Sequence, residues 1–266
     1  MSQSVVTKQF RRAKELLDEF GITEPEEIDL EAIAQYVGAT VVRERLHGAE
    51  ARIISVDDRA IITVNQDSLP TRQRFSIGHE LGHWMNDRGQ IDLSCSTDKQ
   101  ERFYTGTDKE SLANEFATEL LLPSSMFTPR LEKRPPTLEV VKDLARTFQA
   151  SFTATAQRAV DLGAHPAMVI CSSINKRQWF KASLELEGLV WPNRQTSKDT
   201  LAAELLQRSD FGEATDEVDA DAWIDHEDAA NYVLVESSVK VTPELVVSVL
   251  WWKDQAQIRD LSSDDQ

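Results

Sequence analysis

The stretch "RQRFSIGHELGHWMND", residues 72–87, holds His79, Glu80 and His83 in the spacing H-E-x-x-H. On a helix, positions i and i+4 lie only about 40° apart around the axis. His79 and His83 then point the same way and offer two imidazole nitrogens to one ion, with Glu80 beside them. In this arrangement two histidines bind zinc and the glutamate serves as a general base. The competing reading is a chance match, which a chain with five histidines gives roughly once in a hundred sequences. The surroundings favour the site. Phe75, Ile77, Leu81 and Trp84 fit a buried helix with one polar patch. Gly78 and Gly82 are poor helix formers, and their presence implies close approach of another backbone or a ligand.

A catalytic zinc needs a third protein ligand and an open position for water. The longer pattern H-E-x-x-H-x-x-G-x-x-H is absent, because Asn86 and Gly89 stand where its Gly and third His belong. The chain has no histidine between His83 and His165. A carboxylate on the following helix is therefore expected, and "TDKESLANEFATELLLP" (107–123) supplies Glu110, Glu115 and Glu119. Glu110 and Asn114 share one helix face, where Asn114 can orient a metal-binding histidine. Glu110 has an equal alternative. Thr107-Asp108-Lys109-Glu110 is a capping-box pattern, in which Glu110 bonds back to the Thr107 N–H. Composition and spacing do not separate the two.

Working outward, residues 7–20 read as an amphipathic helix stopped by Gly21, and 28–39 as a second helix ended near Gly38. Three short β-branched runs follow at 40–46, 51–56 and 60–65, with a turn at Asp57-Asp58. They predict a small antiparallel sheet. Pro70 marks the start of the motif helix with Ser68 as its N-cap; 87–107 read as a long polar loop, and 108–122 as a helix stopped at Pro123. Two helices are expected within 137–163, and they resemble a helix-turn-helix.

The last third changes character. "AMVICSS", "QWFKASLEL", "YVLVESSVKV" and "LVVSVLWWK" are strand-like, 197–208 is helical, and five of the six Trp lie here. This part is expected to have its own core beyond a boundary near 165. Residues 210–228 hold nine Asp/Glu and no Lys or Arg, and read as a solvated acidic loop. The fold class that follows is α+β. It comprises a zincin-like helical core with the small antiparallel sheet (1–125), a helix-turn-helix-like segment (126–165), a mixed α/β C-terminal domain (166–254) and a polar tail (255–266).

The bulk properties agree with a soluble protein of one or two domains: 266 residues, 41% hydrophobic and 28% charged. A net charge of −16 argues against a surface built for phosphate contacts, and the 137–163 helices are themselves charge-balanced. Direct nucleic-acid binding is not expected. No apolar run approaches a membrane span and the first residues have no signal-peptide h-region. Cys95 and Cys171 lie in different segments and read as reduced thiols. A cytoplasmic location is expected.

The chain resembles the ImmA/IrrE family of metallopeptidases. The resemblance rests on "RQRFSIGHELGHW" and "ESLANEFATELLLP", which match the family pattern R-x-R-F-x-x-A/G-H-E-L-G-H followed by E-x-x-A-N-x-F-A-x-x-L-L-x-P. It covers residues 25–165 well and is weak beyond. It implies one zinc ion held by His79, His83 and Glu110, with Glu80 as catalytic base. It further implies a protein substrate, a helix-turn-helix repressor or an antitoxin encoded nearby, cut in response to a signal.

The strand "AIITVN" (60–65), with Ile62, Val64 and Asn65, is a candidate edge for pairing a substrate strand. Tyr104 is the first candidate for stabilising the oxyanion, with His47 and Arg74 behind it. The alternative function is an anti-repressor that binds its partner without cutting it. The intact Glu80 speaks against that, since binding alone needs no base. The C-terminal third reads as a sensor or substrate-recognition domain, with a purely structural appendage as an equal alternative.

Overall fold

Residues 12–87 and 108–261 of the protein are described by a computed structural model. The chain is helical over 12–19 (α1), with Ala13, Leu16 and Leu17 buried. Gly21 ends this helix at φ +64°. A 3-10 turn at Pro25–Glu27 leads into α2 (Leu30–Tyr36), whose N-cap Asp29 accepts from the Glu31 and Ala32 N–H groups. Gly38 follows at φ +87°, where a Cβ would lie 2.8 Å from the Asp58 carbonyl oxygen. Only glycine fits there.

Three strands come next: β1 (Ala39–Glu44), β2 (Ala51–Val56) and β3 (Arg59–Asn65). Their order is β1-β3-β2. β2 and β3 form the expected hairpin, turning at Asp57 with φ +53°. The expectation of an antiparallel sheet fails at β1, which pairs parallel with β3. The chain reverses direction twice between β1 and β3, and β1 lies beside β3 and not β2, so the sheet is mixed. A second correction follows. The strand carrying Ile62, Val64 and Asn65 is the middle strand, hydrogen-bonded on both sides, so it has no edge to offer a substrate.

α3 (Pro70–Asp87) begins at Leu69, whose carbonyl accepts from the Arg72 and Gln73 N–H groups. Ser68 does not cap it; its hydroxyl donates to Glu50. α4 (Asp108–Leu121) ends before Pro123. α5 (Ser124–Leu131) follows, then α6 (Leu138–Thr147) and α7 (Phe152–Leu162). The carboxylate of buried Glu119 accepts from the Ser124 N–H at 3.0 Å and its hydroxyl at 2.8 Å, closing the first turn of α5.

The chain divides into two compact units. One is Met1–Phe127 with Ala145–Ser151; the other is Thr128–Leu144 with Phe152–Gln266. In the second, β4 (Ala167–Ser172), β5 (Arg177–Ala182), α8 (Leu201–Gln207), β6 (Glu213–Asp219), β7 (Val233–Thr242) and β8 (Leu245–Trp251) build a five-stranded sheet of order β5-β4-β8-β7-β6. Every pairing in it is antiparallel. The acidic stretch is therefore not a loop throughout. Glu213–Asp219 is the edge strand β6, with Ala214 and Val218 packed on the core while acidic side chains between them face solvent. Two inward residues are too few to show period-2 alternation in so charged a run.

The core of this unit gathers Met168, Ile170, Leu205, Leu206, Trp223, Leu250 and Trp252. The last turn, α9 (Ala256–Leu261), adds Ile258 from a stretch that composition assigns to a polar tail. Cys171 is free and buried, and burial pushes its thiol up to about 11. Among the described residues, no helix is long and apolar enough to cross a membrane.

Candidate metal centre

Small side chains set the distance between α3 and α4. A Cβ on Gly82 would meet the Ala113 Cα at 2.8 Å and carbonyl oxygen at 2.9 Å. One turn earlier, a Cβ on Gly78 would meet the Ala117 Cβ at 3.3 Å. The two glycines and two alanines, each four apart in sequence, let the helices press together backbone to backbone. Ile77, Leu81 and Trp84 on α3, with Phe116 and Leu120 on α4, are almost wholly buried. The Trp84 indole N–H donates to the Val37 carbonyl at 2.8 Å, tying α3 to the end of α2.

This packing brings Glu110, in the first turn of α4, against the two histidines of α3. The Nε2 atoms of His79 and His83 are 3.1 Å apart. One Glu110 oxygen lies 3.4 Å from His79 Nε2 and the other 3.4 Å from His83 Nε2. One ligand atom from each of the three residues falls within 4.8 Å of the others. The open choice over Glu110 is thereby narrowed: both carboxylate oxygens face the histidines. Thr107, its capping partner in the other reading, lies outside the described residues.

The donor set fits a divalent cation. Asn114 Oδ1 lies 2.9 Å from His79 Nδ1. With the amide oxygen facing Nδ1, that nitrogen carries the proton and Nε2 presents a lone pair. Two ring nitrogens and a carboxylate then converge at the same place, which is repulsive without a positive charge between them. Two imidazoles and one carboxylate are one of the three-ligand sets found in catalytic zinc sites. Phe75, four residues before His79, stacks on its ring with centroids 6.2 Å apart.

Glu80 is 1% exposed and its Oε2 is buried without a hydrogen-bond partner. Burial pushes its carboxyl up to about 7; the charge of Glu110 adds to that rise and His79 opposes it. For His79, burial works against the charged form. The bond to Glu110, the charges of Glu80 and Glu110, and the Asn114 contact outweigh it, so the imidazole is raised. The arrangement is an anion-rich pocket with one carboxylate, Glu80, poised to take a proton.

The other anticipated residues are not brought to this place. Ile62 and Val64 are fully buried in β3. The Asn65 side chain accepts from the Leu46 and Asp67 N–H groups, holding the loops at the end of the sheet. Arg74 donates to the Ile28 carbonyl at 3.4 Å, and burial lowers its guanidinium. His47 is exposed. Tyr104 lies outside the described residues. Phe75, which stacks on His79, and Trp84, which ties the metal-binding helix to Val37, are two supports of this helix that the sequence alone does not reveal. An apolar residue at either position reads first as core.

Residues 34–160 match the peptidase M78 family, IrrE N-terminal-like domain. The "Radiation response metalloprotease IrrE" of Deinococcus deserti is 26% identical over 118 residues, 44% of this chain and 42% of that protein. Its namesake from Deinococcus radiodurans is 31% identical over 91 residues, 34% of this chain and 28% of that one. The chain thus matches less than half the length of these two relatives. Among solved structures, a "Mycobacterium tuberculosis transcriptional regulator" superposes with a TM-score of 0.59 at 14% identity. That match covers 96% of this chain and 78% of the other, and shows likeness of fold alone.

Proposed function

Residues 34–160 belong to the ImmA/IrrE metallopeptidase family, and from this premise we propose that the protein is a cytoplasmic zinc-dependent endopeptidase that cleaves a regulatory protein in response to a signal. The observation that carries the proposal is the convergence of His79, His83 and Glu110 beside a buried Glu80.

His79, His83 and Glu110 would hold the ion, and Asn114 would fix the His79 ring. When bound there, zinc acidifies water and polarises a carbonyl. Glu80 accepts a proton from water at its carboxylate and passes it to the departing amine nitrogen. Its unpartnered Oε2 suits a group that changes its protonation during turnover. The substrate is a helix-turn-helix repressor or an antitoxin encoded nearby. The second unit, with its own sheet and tryptophan-containing core, serves as a sensor or substrate-recognition domain.

The test is Glu80→Gln in the full chain, incubated with the repressor encoded beside it. Cleavage by the native protein, lost in the variant while repressor binding and metal content persist, is the expected result. If both proteins relieve repression equally and neither cuts, the protein is a binding anti-repressor and the proposal falls.

A further inference from the structure

Four basic side chains of the second unit each meet a carboxylate: Lys142 on Glu213, Lys181 on Asp161, Arg208 on Asp210 and Lys253 on Glu217. Among the described residues, Arg177 and Arg194 meet none, in a chain whose net charge is −16. The two lie side by side, because the Arg177 N–H at the start of β5 donates to the Arg194 carbonyl at 3.0 Å. The Arg177 guanidinium donates to the Pro192 and Asn193 carbonyls, which carry no full charge. Partial burial lowers that guanidinium, and the charge of Arg194 lowers it further. Two neighbouring guanidiniums without a carboxylate suit an anion that both can reach.

An aromatic stack runs on from this pair. The Arg177 guanidinium sits over the Phe180 ring, 4.6 Å from its centroid, and Trp191 meets Phe180 edge to face at 6.1 Å. Trp191 is 57% exposed, although buried Val190 and Pro192 flank it. Its backbone is pinned. The Trp191 carbonyl accepts from the Asp225 N–H at 2.9 Å, Pro192 bridges Ile224, and the Asn193 N–H donates to the Trp223 carbonyl at 2.7 Å. Leu189, 51% exposed, stands two residues earlier. A lone exposed tryptophan is ordinary. One held rigid by backbone and ring contacts, with unneutralised guanidiniums alongside, has the composition of an interface hot spot.

We infer that Leu189 and Trp191, with the guanidiniums of Arg177 and Arg194, dock an acidic segment of a partner protein that carries large apolar side chains between its carboxylates. Charge complementarity selects this occupant. The apolar side chains cover Trp191 and Leu189, and the carboxylates reach the two arginines. Nucleic acid needs a longer run of cations than two arginines in so acidic a chain. The inference goes beyond the peptidase reading and does not depend on it.

The test uses the full chain and three capped, fluorescein-labelled peptides, DDLFDD, DDSSDD and KKLFKK. DDLFDD should shift the Trp191 indole N–H resonance, assigned from Trp191→Phe, and bind at least about tenfold more tightly than either of the others. Trp191→Ala should bring DDLFDD to the level of DDSSDD, and Arg194→Glu should weaken both acidic peptides at least about fivefold. Trp191→Phe keeps a ring against Phe180 and should hold DDLFDD within about threefold of native, which separates a lost surface from a lost fold. Equal binding of DDLFDD and KKLFKK overturns the inference. So does no binding, a Trp191 resonance that stays still, or alanine and glutamate variants that bind as the native protein does. A hexathymidylate that moves this resonance and binds more tightly than DDLFDD assigns the surface to nucleic acid and overturns it. A shift that appears with protein concentration alone assigns it to a second copy and overturns it too.

Discussion

Gly82 and Ala113 approach so closely that a Cβ on the glycine would lie 2.8 Å from the alanine Cα. The contact is backbone against backbone, so neither side can yield by rotating. Alanine at an exposed helix position gains about 1 kcal/mol over glycine, whereas overpacking a close contact costs about 1–3 kcal/mol. At Gly82 the clash wins. Gly82→Ala should push α4 and Glu110 away from the histidines and weaken zinc binding at least about tenfold, read by chelator competition. Gly78 is the control. Its nearest neighbour would be the Ala117 Cβ at 3.3 Å, a contact that eases with a shift of a few tenths of an ångström. Gly78→Ala should leave zinc affinity within about threefold of native. Equal losses at the two positions would refute the argument from helix spacing.

Asn114 touches His79 at Nδ1 from 2.9 Å. Removing it would leave the three proposed ligands in place but free the ring to turn and to change tautomer. Asn114→Ala should lower zinc affinity by about 10–100-fold, the usual cost of losing such a partner. Asn114→Asp keeps an acceptor and should restore most of it. Calorimetric titration of the apoprotein with zinc separates these outcomes, and an alanine variant of native affinity would show that His79 is oriented by packing alone.

Much of this site was legible because its chemistry is written in local spacing. His79, Glu80 and His83 share one helix, and Glu110 shares another with Asn114. What spacing left open was whether Glu110 served the ion or its own helix end. That depends on the distance between α3 and α4, which Gly78, Gly82, Ala113 and Ala117 set together. The sheet was less legible. Periodicity finds strands and says nothing of which lie side by side, so β3 read as an edge when it is the centre. β6 was hidden by its composition, because an edge strand needs only Ala214 and Val218 to hold it.

On the peptidase proposal, the buried Glu80 carboxyl, pushed up to about 7, should set the acid limb of activity. A base must be ionised to take a proton, so kcat/KM should rise with pH through this group's titration. Zinc held by its neighbours favours the ionised form and draws the midpoint below 7. A pH–rate profile of the zinc-loaded protein should therefore show an ascending limb with a midpoint under about 7. Activity that falls steadily from pH 5 upward would remove Glu80 from the role of base.

Glu236, fully buried on β7, stitches the second unit together. Its carboxylate accepts from the Leu201 N–H at 3.1 Å, the Ala202 N–H at 2.7 Å, the Trp223 indole at 2.7 Å and the Ser238 hydroxyl at 2.6 Å. The first two are unpaired donors at the start of α8, and the Thr200 side chain takes a third from Ala203. Burial raises the Glu236 carboxyl, and the four donors only partly offset it. The sign follows. A carboxyl with a folded pKa above its unfolded value, about 4.3, lends stability that is fully present below that value. The contribution is lost as pH rises through the folded pKa, with a slope of at most about 1.4 kcal/mol per pH unit. Glu236→Gln removes the titration and turns an amide NH2 toward groups that can only donate. Denaturant unfolding across pH 4–8 should find the variant less stable throughout, by about 1–3 kcal/mol. The gap to the native protein should be widest at the acid end and narrow as pH rises. A gap that widens toward neutral pH would mean that the four donors outweigh burial and hold the folded carboxyl below its unfolded value.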